Sequence, residues 1–161
     1  MKYILNNIVI ICLLCCCSSK STHNEITDII RNQVVENEIA FDDSLRSCLI
    51  IPGAGCSGCI ASGIGLVKAN KDYFSRTQDA HKIIFTHVLS LKALRRRTMG
   101  LDYSELNYQI DSINKYFFNC SESKYPIILY LNKGLVVKAD YAAPNTDGMA
   151  LYMNFLLKSK N

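Results

Sequence analysis

Cys56 and Cys59 stand two residues apart in Cys56-Ser57-Gly58-Cys59, a spacing that suits thiol–disulfide exchange, a static bridge or half of a metal site. Context separates the three. The pair follows the apolar run Leu45-Arg46-Ser47-Cys48-Leu49-Ile50-Ile51, stopped by Pro52-Gly53, and opens a stretch with Ile60, Ile64, Val67 and Phe74 at helical spacing. Backbone N–H groups in a first helical turn lack intrahelical partners and stabilise a negative sulfur. Cys56 is therefore expected to have a lowered pKa and to act as the attacking thiolate. Cys59, one turn later on the same face, is placed to resolve a mixed disulfide. A static bridge across so short a loop would constrain the unfolded chain little. A zinc site would have to recruit Cys48 and Cys120, because no second close-spaced pair accompanies the first. Exchange is the leading expectation, with the bridge and the metal site as alternatives. His81 and His87 match no ligand spacing and are read as ordinary strand or surface residues.

The elements that must position this pair are legible around it. Of 161 residues, 49% are hydrophobic and 20% charged, with eight Gly and three Pro. That excludes a disordered tail, a collagen-like repeat and a Pro/Gly low-complexity chain, and it fits one globular domain. A net charge of +4 is too small to argue for nucleic acid. The run Arg95-Arg96-Arg97 lacks interleaved aromatics and reads as a solvated helix face.

Residues 24–41 read as an amphipathic helix, 45–51 as a buried strand, and 56–74 as a helix. Residues 82–89 read as a second buried strand, and 90–99 as a short helix capped by Ser90 and ended by Gly100. Asn107 to Ile110 reads as a short strand and Ser112 to Phe118 as a helical turn. Ile127 to Leu131 and Leu135 to Ala139 read as a hairpin turned at Asn132-Lys133-Gly134, and 145–160 as a closing amphipathic helix. Helices alternating with strands, then a hairpin, imply an α/β layer fold with a parallel portion and an antiparallel one.

The other four cysteines crowd the N-terminus as Cys12, Cys15, Cys16 and Cys17. Lys2, then the apolar run Ile8 to Cys17, then Ser18-Ser19-Lys20-Ser21-Thr22, form the profile of an export signal, too short for the roughly 20 residues of a membrane span. Leu14-Cys15-Cys16-Cys17 resembles a bacterial lipoprotein signal, which implies Cys17 as the lipidated residue, with Cys16 as the backup acceptor. On that resemblance residues 1–16 are the signal peptide and 17–42 a tether with the N-terminal helix.

Residues 43–161 are similar to the thioredoxin superfamily. The likeness is carried by a strand, the Cys56-Ser57-Gly58-Cys59 motif at a helix start, Tyr108-Gln109-Ile110-Asp111, and Tyr125-Pro126 leading into the hairpin. It implies a three-layer α/β/α fold with a mixed central sheet. Cys56 becomes the nucleophile and Cys59 the resolving thiol. Pro126 maps onto a cis-proline beside them, which would expose the Tyr125 backbone for strand-like pairing with substrate. No cofactor and no metal are called for. Gly55 stands where the family carries an aromatic residue, Ser57-Gly58 replaces Gly-Pro, and Ile50 occupies the position of a buried carboxylate found in some members.

Taken with the signal, the resemblance implies a lipid-anchored thiol–disulfide oxidoreductase in the bacterial envelope, facing the periplasm or an outer-membrane surface. Its partners would be disulfide-bearing envelope proteins and a membrane electron donor, and not nucleic acid. The alternative is a redox-silent thioredoxin-fold lipoprotein that binds or assembles other components.

Overall fold

The computed structural model describes residues 23–158. The expectations for the signal peptide, for Cys17 and for Cys16 lie outside the described residues.

Helix α1 (His23–Glu36) comes first, followed by β1 (Ser47–Pro52), α2 (Ser57–Ala69) and α3 (Lys71–Arg76). Then come β2 (His81–Thr86), α4 (Leu91–Arg97), β3 (Tyr108–Ile110), the hairpin β4 (Ile127–Asn132) and β5 (Leu135–Tyr141), and α5 (Gly148–Lys158). The five strands form one sheet in the order β3-β2-β1-β4-β5. β1 runs parallel to β2 and antiparallel to β4, β2 runs parallel to β3, and β4 pairs antiparallel with β5. The sheet is mixed, as the sequence implies.

Every residue of β1 is buried because both faces of the sheet are covered. Leu49 and Ile51 join Ile83, Phe85 and Ile128 on one face, beneath α2, α3, α4 and α5. Cys48 and Ile50 join Ile84, Leu129 and Leu131 on the other, beneath Ile26 and Ile30 of α1 and the aromatic rings of Tyr116 and Phe118. The chain is an α/β fold with its central sheet between two covering layers. Among the described residues no helix is long and apolar enough to cross a membrane.

Several expected boundaries move, the second strand among them, which ends at Thr86 rather than Leu89, and three of the differences have a local reason. The first helix stops at Glu36 rather than continuing to Phe41. Glu38 adopts a positive φ of 50°, and Glu38 N and Ile39 N donate to Val35 O and Val34 O, the pairing that closes a Schellman motif. The expected helix over 56–74 is two helices, because Asn70 leaves the helical region at φ −119° and ψ 25°. Its side-chain amide donates to Leu66 O at 2.9 Å, a local bond that competes with helix continuation.

The third difference is a correction. Residues 112–118 form turns and no helix. Asp111, 3% exposed, accepts from Lys115 N at 3.0 Å, Tyr116 N at 2.8 Å and Thr86 Oγ1 at 2.7 Å. Its carboxylate takes the N–H groups that a helical turn would give to carbonyls, and ties the loop to β2. The hairpin turn does form as expected, with Lys133 and Gly134 both at positive φ, the signature of a type I′ turn.

Candidate functional site

The chain leaves β1 at Pro52 and reaches α2 through Gly53, Ala54 and Gly55. Gly53 N donates to Thr86 O at 2.7 Å, and the guanidinium of Arg97 donates to Gly53 O at 3.0 Å, so the loop is held from β2 and from α4. Gly55 has φ +134°, and a Cβ there would run into the Lys124 backbone. No side chain fits at position 55 without displacing that backbone. Cys56 N then donates to Lys124 O at 3.0 Å. That bond fixes the start of α2 against the segment 124–126.

Cys56 occupies the N-cap position of α2 in extended geometry, φ −66° and ψ 101°. Its sulfur is partly exposed. The Cys59 thiol and the Cys59 backbone N–H, then, after an opposing effect of burial, the Gly58 N–H and the charge of Lys124, hold the pKa below the ordinary cysteine value. Cys59 is only 6% exposed. Burial first, then its hydrogen bond to Cys56 and the charge there, push its thiol up to about 11. The two sulfurs are free thiols, one accessible and acidified, the other buried and protonated.

Pro126 lies against α2 one turn past Cys59, its ring Cγ 3.3 Å from the place of a Cβ on Gly63, and Tyr125 joins it to Lys124, whose carbonyl accepts from Cys56 N. Two expectations for them need correction. The Tyr125–Pro126 bond is trans, as are all peptide bonds among the described residues. A trans bond is the cheaper isomer by about 0.5–1 kcal/mol, and the extended Tyr125 backbone (φ −110°, ψ 159°) reaches β4 without the other. The Tyr125 N–H is not presented outward either, since it donates to Glu122 O at 2.8 Å within the short 3-10 turn Ser121–Lys124. The Tyr125 ring stacks on Tyr141 with centroids 6.2 Å apart, and Lys124 Nζ lies 5.2 Å from that ring.

The remaining thiols lie elsewhere. Cys48 is fully buried on the α1 face of the sheet, where desolvation pushes its pKa up to about 12. Cys120 packs against that same cluster, and burial raises its pKa too. Among the described residues no group of three or more His, Cys, Asp or Glu side chains gathers as a metal ion would need.

Sequence reasoning missed one contributor. Lys124 supplies both the carbonyl that anchors Cys56 N and the nearest positive charge, yet nothing but its place before Tyr125-Pro126 marks it. Away from this site, His81 opens β2 as a strand residue, with a buried polar network around it. It is 2% exposed, with Nδ1 2.8 Å from Ser47 Oγ and Nε2 3.1 Å from Tyr73 OH, while Ser47 Oγ also lies 2.9 Å from Tyr152 OH. Burial, aided by the charge of Arg46, lowers its pKa to about 4, so it is neutral at physiological pH.

No protein-family model matches the chain, and no curated protein matches it. Among solved structures, the chain is similar to the solution structure of a putative thioredoxin from Neisseria meningitidis, with a TM-score of 0.46 and 16% identity over 74% of this chain and 80% of that one. The α/β architecture stands on the strand order and register given above.

Proposed function

We propose that the chain is a thiol–disulfide oxidoreductase working through Cys56 and Cys59, held at an envelope membrane by lipid on Cys17. The observation that carries the reading is the division of labour between two neighbouring sulfurs. Cys56 is accessible and stabilised as a thiolate, and Cys59 is buried and kept protonated.

In the exchange, the Cys56 thiolate attacks one sulfur of a substrate disulfide. The substrate S–S bond breaks, and the departing sulfur leaves as a thiolate that takes up a proton from water. Cys59 then loses its proton to solvent and attacks Cys56 Sγ. The mixed disulfide breaks, the second substrate thiol is released, and the protein holds a Cys56–Cys59 disulfide. Two protein thiols are oxidised and one substrate disulfide is reduced. Run in reverse, the same steps oxidise a dithiol, and the reduction potential decides the direction. Disulfide-bearing envelope proteins are the substrates of this reading, and a membrane electron donor would restore the dithiol.

The test is trapping. Cys59→Ser should accumulate mixed disulfides with partner proteins, resolved by reductant, while Cys56→Ser traps none. Cys56 should alkylate with a midpoint below the ordinary thiol value of about 8.5. Ordinary reactivity with no trapped species would instead fit a redox-silent binding module.

A further inference from the structure

A groove begins at the residues on either side of Cys56. Gly55 lines one cavity of about 340 Å³ between the β1–α2 loop and α4, and Ser57 lines a second of about 330 Å³ along α2. Ile60, Ile64 and Arg97 line both, so the two adjoin as a trough along α2 that starts at the chain neighbours of Cys56. Its floor is apolar, and its outer wall carries Leu89, 77% exposed. Each part lies at the small end of the roughly 300–1,000 Å³ range of ligand pockets, a size that suits individual side chains of a chain lying across it.

The charges at this trough have one sign. Arg97 and Lys68 line it and no Asp or Glu does. Lys68 Nζ donates to Arg97 O at 3.3 Å, and the Arg97 guanidinium to Gly53 O. Both cations therefore stand on carbonyls, and among the described residues no carboxylate pairs with either. Arg95 and Arg96 add to the same exposed helix. Gly65, on the wall beside Lys68, has nothing within 4 Å of where a Cβ would stand, so the trough is open there.

We propose that this trough binds an extended acidic and apolar segment of the polypeptide whose disulfide meets Cys56, seating its apolar side chains on Ile60 and Ile64 and its carboxylates on Arg97 and Lys68. The proposal rests on the redox reading for the disulfide, and adds the class of chain that carries it. Apolar contact supplies the affinity and the uncompensated cations supply selection and register.

Binding is measured by fluorescence anisotropy at low salt. One probe is a labelled ten-residue peptide of Leu and Asp with Ser in place of the reactive cysteine. Its twin carries Lys for Asp. The full chain should bind the acidic peptide at least tenfold more tightly than the basic one. Lys68→Glu should weaken the acidic peptide at least fivefold and strengthen the basic one, a gain that a misfolded variant could not give. Gly65→Leu, which fills the trough, should weaken both. Equal affinities unmoved by either variant would overturn the proposal, as would binding to anionic phospholipid vesicles with neither peptide bound.

Exchange with bis(2-hydroxyethyl) disulfide reads the redox chemistry separately, because that neutral probe is too small to span the trough. Peptide selection without this exchange would sink the proposed function and keep the trough. Exchange without selection would do the reverse.

Discussion

Two sulfurs of the same residue type differ here because of where α2 begins. Cys56 sits at the helix entrance, where the Cys59 thiol and the N–H groups of the first turn favour its anion, and Cys59 sits one turn in, under cover. The acidifying contacts are local to the helix start, with Lys124 the smallest contributor, so Lys124→Ala should raise the Cys56 alkylation midpoint only slightly. Substitutions that displace the helix start should raise it more. Gly55→Ala is the sharpest of these. A methyl group at φ +134° against the Lys124 backbone should destabilise the fold by about 2 kcal/mol or more and move the midpoint toward that of an ordinary thiol, read by urea unfolding and by alkylation against pH. The motif and its place at a helix start were legible in the sequence, because four residues and one boundary define them. The trans Pro126 bond and the inward Tyr125 N–H were not, since they depend on the 3-10 turn at Ser121–Lys124, which carries no periodic signal.

At the scale of elements, β1, β2 and β4 were readable as strands because burial on both faces leaves continuous apolar runs, and β5, exposed at alternate positions, was readable from Leu135-Val136-Val137 after the Lys133-Gly134 turn. The 111–118 loop was not. Its organiser is Asp111, and Thr86, one of the three groups that carboxylate holds, lies 25 residues away in sequence, beyond the reach of local pattern. Asp111→Ala would leave the Thr86 hydroxyl and the N–H groups of Lys115 and Tyr116 without their acceptor. We expect a loss of about 3 kcal/mol in urea unfolding, from bonds to a charged group that cannot be replaced by water in a buried site. The same variant should loosen Tyr116 and Phe118 from the α1 face, since both cap the cluster around Ile50 and Ile84.

For the whole molecule, the described fold places Cys56 and Cys59 at one end of β1 and a buried polar network at the other, around Ser47 and His81. That network sets an acid limit on stability. His81 is neutral when folded, with a pKa of about 4, against about 6.5 in an unfolded chain. Between those values the unfolded state binds more protons, so stability is fully present above about pH 6.5 and declines as pH falls toward 4, at up to about 1.4 kcal/mol per unit. Urea midpoints at pH 7.5, 6 and 5 should show the decline, and His81→Gln should flatten it while lowering stability at pH 7.5.

Whether Cys56 and Cys59 exchange disulfides is decided by their reduction potential, read from the dithiol fraction after equilibration in glutathione buffers. A reversible two-electron transition is expected within the range of exchanging pairs, about −120 to −270 mV. A pair that stays oxidised below about −300 mV, as structural disulfides do, or that forms no disulfide at all, would contradict it.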